Sequence, residues 1–160
     1  MPTCVHELFI EGVEDAIRSR LKTIRSGTGD AARFADQVRP ARSTEIYFPA
    51  ENGSPNTKSK YEPDTSFWHD DAQYPGVIIE VAYSQQKKRL DRLAENYLLD
   101  SDASVQVVVG LDIEYSKKET SKATFTVWRT RVDGDELRVV KEIEDEVFTI
   151  PNPFIPVSCP

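Results

Sequence analysis

The spacing of hydrophobic residues changes several times along the chain, and each change predicts a different element. From about Val5 to Ile24, apolar residues recur on one stripe at a spacing of about 3.6 residues, which predicts an amphipathic helix. The segment Ser26-Gly27-Thr28-Gly29 is expected to end this helix. A short helical turn is predicted from Asp30, ending before Pro40.

Three strands are predicted in the next part of the chain. Residues 43–48 alternate between apolar and polar types, which favours a strand. The polar residues 49–60 predict a loop, and Tyr61 to Trp68 is typical of a second short strand that contains Pro63-Asp64. Gly76 to Tyr83 is a nearly continuous β-branched run, which predicts a central strand buried on both faces.

The clearest helix follows that central strand. Ser84 is the expected N-cap of a helix from Gln85 to about Leu99, because the apolar residues there keep helical spacing. Val105 to Ile113 is a second nearly continuous apolar strand. A strand, a helix of about fifteen residues and another strand predict a right-handed crossover between two parallel strands.

The last part of the chain predicts a hairpin and an extended tail. Ala123–Arg131 and Leu137–Ile143 flank Asp133-Gly134, a pair that favours a two-residue turn. Residues 151–160 contain four prolines and are expected to be extended. The order α-β-β-β-α-β-β-β predicts a single α/β (α+β) domain over residues 1–160, with a mixed central sheet and a C-terminal β-hairpin.

Composition narrows the classes of function. The 160 residues are 39% hydrophobic and 29% charged, and no apolar run approaches a membrane span, so we expect a soluble domain. The first residues lack the basic region of a signal peptide, and two cysteines make no disulfide framework, which favours an intracellular location, in the nucleus or the cytoplasm. The chain contains 20 Lys and Arg residues and 27 Asp and Glu residues, so its net charge is −7. Contact with nucleic acid would therefore have to rest on a local basic patch.

Two acidic residues stand out by their positions. Asp64 follows Pro63 within a short strand, and Glu80 lies in the middle of the most apolar strand. A carboxylate in such a strand is costly unless it is hydrogen-bonded, paired, bound to a metal or at an open strand end. The alternative is that Glu80 points to a solvated strand edge or pairs with a nearby Lys or Arg.

These residues resemble the motifs of the PD-(D/E)XK nuclease superfamily, also called restriction-endonuclease-like. The resemblance covers about 110 residues and is carried by Pro63-Asp64, by Glu80-Val81-Ala82, and by the helix and apolar strand that follow. The segment GVIIEVAYSQ is especially similar to a bacterial and fungal group in which an E-V-x-x-S strand end leads into a helix. The resemblance implies the core order αβββαβ, which the predicted elements from Val5 to Ile113 follow.

The resemblance also implies hydrolysis of DNA phosphodiester bonds with Mg²⁺ or Mn²⁺. This reaction needs charge neutralised at the phosphoryl oxygens and a nucleophilic water, and these hard ions prefer carboxylate and carbonyl oxygens. Asp64 and Glu80 are the expected catalytic residues and metal ligands, with the backbone carbonyl of Val81 as a third ligand. A lysine would orient or deprotonate the attacking water.

The chain departs from the family pattern at this lysine. The family places it two residues after the glutamate, where this chain has Ala82. Either the site is inactive or the lysine has moved to the following helix, as it has in known members. On a helix centred on Leu90, Lys87 lies about 60° from the apolar stripe and Lys88 about 160° away, so Lys87 is the candidate. A surface lysine with a partly buried stem is the alternative.

Other residues near this helix start could contact the substrate. Gln86 lies about 40° from the stripe, and a polar residue here often contacts a phosphate or water in the family. Lys88 and Arg89 belong to a basic cluster, residues 87–92, that would meet a phosphate backbone. A charged, solvated helix face explains this cluster equally well.

An acid from the first helix usually completes the family's site. Glu14 is the candidate because it borders the apolar stripe, and Glu7 is nearly as good, whereas a solvated helix face is the alternative for both.

The leading hypothesis is a metal-dependent nuclease that acts on DNA. The alternative is a domain that keeps the nuclease fold without catalysis and serves in binding or assembly. The sequence leaves a homodimer open.

Overall fold

The amphipathic helix predicted at the start of the chain is α1, Cys4–Arg25, in a computed structural model that describes residues 4–49, 58–83, 87–114 and 122–149. The short helix α2 follows at Asp30–Asp36, and α3 is Lys87–Asp100. Ser84, the expected cap of α3, and the tail 151–160 lie outside the described residues. None of the helices in the described ranges is both long and apolar enough to span a membrane.

Eight strands lie in the described parts of the chain. They are β1 (Val38–Pro40), β2 (Ile46–Pro49), β3 (Lys58–Tyr61), β4 (Thr65–His69), β5 (Val77–Tyr83), β6 (Val107–Glu114), β7 (Lys122–Asp133) and β8 (Glu136–Thr149). Six of them form one sheet in the order β1-β4-β5-β6-β7-β8, while β2 and β3 pair separately. β5 and β6 are parallel and joined through α3, and every other neighbouring pair in this sheet is antiparallel. The prediction of an α+β fold with a mixed sheet is therefore confirmed.

The first predicted strand does not belong to the main sheet. Its residues 46–48 lie in β2, which pairs with β3, and the main sheet starts instead with β1. Sequence reasoning missed β1 because three residues that include Pro40 carry no alternating pattern. Pro40 is tolerated there because β1 is an edge strand, where a missing N–H need not break a ladder on both sides.

The second predicted strand is divided. Tyr61 ends β3, and the continuation starts again at Thr65 as β4, in a different sheet. Pro63, which has no N–H to donate, lies in the break between them. The predicted loop 49–60 therefore ends too late, because β3 already begins at Lys58.

The C-terminal hairpin is longer than predicted. β7 has 12 residues and β8 has 14. Asp133 pairs with Glu136, so the turn is formed by Gly134 and Asp135, one residue later than expected. Gly134 has a φ of 65°, a left-handed conformation that favours glycine.

Two apolar layers enclose the main sheet. On one face α3 packs over a cluster that includes Ile78, Ala82 and Trp128. On the other face α1 packs over a cluster that includes Ile79 and Val81. Successive residues of β5 alternate between the two layers, as the period of a strand requires. The prediction that β5 is a central strand buried on both faces is confirmed.

Candidate carboxylate site

Asp64 and Glu80 come together because of the register between β4 and β5. Thr65 pairs with Ile79 in this antiparallel ladder, so the residue before Thr65 faces the residue after Ile79. Asp64 therefore lies opposite Glu80. Their carboxyl groups are close enough that Asp64 raises the pKa of Glu80. The structure thus brings the two predicted acids into one site.

Asp64 lies just before the first residue of β4, and its side chain takes the place of a backbone partner for β5. Its Oδ2 accepts a 2.7 Å hydrogen bond from the backbone N–H of Val81. Its Oδ1 lies 3.4 Å from Nε2 of His6, which α1 carries to this end of the sheet. The carboxyl group is thus held from two sides, while 24% of the side chain remains exposed. Val81, expected to offer its carbonyl, contributes its N–H to the site.

Glu80 points to the α3 side of the sheet and is only 8% exposed. The hydroxyl of Tyr97 donates a 2.6 Å hydrogen bond to its Oε1. Burial raises the pKa of Glu80 to about 8 and the Asp64 carboxyl adds to the rise, whereas the Tyr97 hydrogen bond and the Arg89 charge act against it. The interpretation of Glu80 as a solvated strand-edge residue is therefore wrong.

Tyr97 is itself held in a buried group of side chains. Its ring centroid lies 5.2 Å from that of Tyr61, whose hydroxyl donates a 2.7 Å hydrogen bond to Asp100 on α3. Burial, followed by the nearby charge of Glu80, raises the pKa of Tyr97. Its hydroxyl therefore stays protonated and acts as a fixed donor to Glu80.

A cleft of about 330 Å³ opens beside Asp64 on the side of α1. Its lining includes Glu14 and Arg18 from α1 and Arg42 from the loop after β1. The side chain of Glu14 is only 8% exposed, so a solvated helix face is the wrong interpretation for Glu14, whereas it fits Glu7 at 63%. Glu14 Oε1 lies 3.6 Å from Nε of Arg18 and 3.7 Å from Nε of Arg42.

The other predicted site residues lie at the start of α3. Gln86 lies outside the described residues, and only the backbone is described for Lys87 and Lys88. Arg89 is exposed, yet its charge lowers the pKa of Glu80, which indicates that the first turn of α3 lies near Glu80. Ala82, at the position of the family's lysine, is 6% exposed and belongs to the apolar layer under α3.

Three residues of this region were missed from the sequence. His6 lies three residues before the buried Phe9 on α1, a helical spacing that could have placed it on the inward face. Tyr97 lies on the predicted helix from Gln85 to about Leu99, where helical spacing indicates packing and gives no sign that its hydroxyl is a hydrogen-bond donor. Arg42 lies in an irregular segment with no periodic pattern, so no sequence signal pointed to it.

Among the described residues, no group of three or more His, Cys, Asp and Glu side chains is arranged to hold a metal ion. The site offers two convergent carboxyl groups, with Glu14 in the adjoining cleft. No protein-family model, curated protein or solved structure matches the chain. The function therefore has to follow from the site itself.

Proposed function

We propose that this protein is a divalent-cation-dependent nuclease that hydrolyses DNA phosphodiester bonds at Asp64 and Glu80. The observation that carries the proposal is the convergence of these two carboxyl groups, one of them buried with its pKa raised to about 8. Two acids held this close repel each other when both are ionised, and a divalent cation between them would offset the repulsion. The substrate would place the protein inside the cell, in the nucleus or the cytoplasm.

The donor set fits Mg²⁺ or Mn²⁺. Proteins usually bind Mg²⁺ through one or two carboxylates, with waters and substrate phosphates in the remaining positions. Asp64, with 24% of its side chain exposed, lies on the wall of the cleft through which a phosphate could approach. When bound, such an ion would polarise the phosphoryl group and make a bound water easier to deprotonate.

The surrounding groups orient the two acids. The Val81 N–H and His6 fix Asp64, and the Tyr97 hydroxyl fixes Glu80. Groups that hold ligands in this way set the orientation and basicity of the ligand atoms. In the proposed reaction these three partners hold the two carboxyl groups in place as metal ligands.

The order of elements supports the same proposal. When the short helix α2 and the separate pair β2 and β3 are set aside, the elements from α1 to β6 follow the αβββαβ order that the family resemblance implies. Strands β1, β4 and β5 are antiparallel, and β6 is parallel to β5. Asp64 precedes the second of these strands and Glu80 lies on the third. β2 and β3 form an addition between the first and second strands of that order.

Lys87 is proposed as the catalytic lysine. It is the first residue of α3, four residues after the end of β5, and the charge of Arg89 in the same turn already acts on Glu80. From this turn a lysine would orient the attacking water or stabilise the charge that develops on the phosphate. Gln86, Lys88 and Arg89 are proposed to contact the DNA backbone.

A cleavage assay tests the proposal. Wild type, Asp64→Ala and the control Asp133→Ala, whose exposed acid lies at the distant β7–β8 turn, are incubated with circular single-stranded and duplex DNA in Mn²⁺ or in EDTA. We expect cleavage by wild type and Asp133→Ala in Mn²⁺ only, and a loss of about 100-fold or more in Asp64→Ala. Equal cleavage by Asp64→Ala would contradict the proposal.

One observation favours a second candidate, a nuclease-like domain without catalysis that serves in binding or assembly. Ala82 lies in the apolar layer under α3, where a lysine would carry its charge into an apolar environment. The alternative predicts that a folded wild type binds Mn²⁺ and cleaves neither DNA form. Cleavage that depends on Asp64 would exclude it.

A further inference from the structure

We propose that Arg18 and Arg42 form a phosphate-binding subsite for a single DNA strand, next to Asp64. This inference rests on the proposed function, because it assigns a place to the substrate of the same two acids. Both arginines and Asp64 line the cleft of about 330 Å³ beside α1. A strand whose scissile phosphate lies at Asp64 would therefore place a neighbouring phosphate at the two guanidinium groups.

Arg42 lines the cleft in an uncommon backbone conformation that contacts with Ser66 hold in place. Arg42 has a φ of 52°, a left-handed conformation that residues other than glycine seldom adopt. The buried Ser66 fixes this segment, since its hydroxyl donates a 3.0 Å hydrogen bond to the Arg42 carbonyl and its carbonyl accepts one of 2.8 Å from the Ala41 N–H. Unfavourable backbone conformations held in this way cluster at ligand-binding sites.

Glu14 pairs with both arginines, and Nη1 of Arg18 also lies 3.9 Å from Oδ1 of Asp15. The Oε1 of Glu14 is buried and makes no hydrogen bond, although the Nε atoms of Arg18 and Arg42 lie 3.6 Å and 3.7 Å away. These distances are too long for hydrogen bonds but short enough for charge attraction. Glu14 is thus a positioning residue, and the N–H groups nearest to it are not committed to its Oε1.

Two guanidinium groups on one wall favour a phosphate as the ligand. Arginine presents several N–H donors in a planar fork that matches the oxygens of a phosphate. Arg18 and Arg42 are 46% and 72% exposed, so they can turn to an incoming anion.

The charge and size of the cleft favour a single strand over a duplex. The exposed acids Glu7, Glu11 and Asp15 also line the cleft, and the chain as a whole carries a net charge of −7. A duplex backbone would bring many phosphates near these acids, whereas one strand can offer a single phosphate to the arginines. The cleft volume lies at the small end of ligand sites, which agrees with one nucleotide unit.

The test measures DNA binding without metal, so that it does not depend on catalysis. A short fluorescein-labelled single-stranded oligonucleotide is titrated in EDTA with the full chain, and anisotropy is recorded at several salt concentrations. The variants are Arg18→Gln and Arg42→Gln, with Arg138→Gln as the control, because Arg138 is exposed in the distant hairpin. Circular dichroism checks the folding of each.

We expect Arg18→Gln and Arg42→Gln each to weaken binding about tenfold and to lower the salt slope by about 1, with Arg138→Gln unchanged. Unchanged affinity in the first two variants, or a wild type that does not bind the oligonucleotide, would overturn the subsite. Tighter binding of a duplex of the same sequence would overturn the single-strand assignment. If wild type cleaves DNA but both variants keep its KM, the subsite is wrong and the proposed function stands. If the variants lose binding and the wild type cleaves no DNA, the proposed nuclease function is wrong, while the phosphate contacts of Arg18 and Arg42 stand.

Discussion

The hydroxyl of Tyr97 donates a 2.6 Å hydrogen bond to Glu80 Oε1, from the helix that follows the strand on which Glu80 lies. Glu80 is buried, so this donor fixes the orientation of a carboxyl group that solvent hardly reaches. The contact connects the packing of α3 on the sheet to the geometry of the acid pair. A change in the packing of α3 on the sheet would therefore change the orientation of the Glu80 carboxyl group.

The Tyr97→Phe variant keeps the ring and removes only this donor. Loss of an orienting partner typically weakens metal binding about 10- to 100-fold, and we expect such a loss in Mn²⁺ affinity measured by calorimetry. Tyr61→Phe is the matched control, since its hydroxyl donates to Asp100 and not to Glu80. It should lose stability without losing Mn²⁺ affinity. An equal loss of affinity in both variants would mean that the hydroxyl of Tyr97 has no specific role.

The raised pKa of Glu80 predicts how stability depends on pH. Its pKa is about 8 in the folded protein against an ordinary value of 4.5, so the folded state binds this proton more tightly than the unfolded chain does. Its contribution to stability is fully present below pH 4.5 and is lost as the pH rises through 8. Between these values the free energy of unfolding should fall by about 1.4 kcal/mol per pH unit.

Urea denaturation at pH 6 and pH 8 measures this effect without added metal. The wild type should lose about 2 kcal/mol over this interval from Glu80 alone. Glu80→Gln, which cannot ionise, should be less sensitive to pH by that amount, while Glu95→Gln on the exposed side of α3 should behave as wild type. Identical pH profiles for all three proteins would show that Glu80 is not the group responsible.

Gly110 on β6 lies opposite Glu80 in the parallel ladder and under the ring of Trp128. A Cβ at this position would lie 2.7 Å from two ring carbons of Trp128 and 3.2 Å from Leu90 Cδ1. Gly110→Ala must therefore displace the ring, and we expect it to destabilise the protein by about 1–3 kcal/mol. Gly76→Ala is the control, because a Cβ there meets no atom within 4 Å. Equal stability of the two variants in urea would contradict this packing.

The proposed catalytic role of Lys87 can be distinguished from the role of Lys88 by substitution. Lys87→Ala should lower the rate of DNA cleavage about 100-fold or more, as expected for loss of a group that assists proton transfer, with Mn²⁺ affinity unchanged. Lys88→Ala, which removes a proposed contact to the DNA backbone on the solvent side of the helix, should raise the KM for DNA and change kcat less than a few-fold. The opposite order of effects would move the catalytic role from Lys87 to Lys88.

The sequence was most informative at positions where a charged residue interrupts an apolar or strand-forming segment. Glu80 could be singled out because an ionisable residue interrupts an apolar strand, and Asp64 because it follows a proline at a strand start. Their contact also required the register of β4 on β5, in which Thr65 pairs with Ile79. That register depends on a turn whose geometry the sequence pattern does not specify.

Other features depend on tertiary packing and left no local signal. β1 has three residues and a proline, so its place in the main sheet comes from pairing with β4 rather than from its own pattern. The burial of Glu14 depends on how α1 is rotated on the sheet, and a helical wheel put this residue only at the border of the stripe. The left-handed backbone of Arg42 is held by Ser66, a partner 24 residues later in the chain.

The central claim is that Asp64 and Glu80 hold one divalent cation together. Mn²⁺ titration by calorimetry on wild type, Asp64→Ala, Glu80→Ala and the double variant tests it most directly, with folding checked by circular dichroism. If both acids hold the same ion, each single variant loses most of the affinity and the double variant loses little more, so the two effects are not additive. A folded wild type that binds no Mn²⁺, or binds it equally well without Asp64 and Glu80, would contradict the claim.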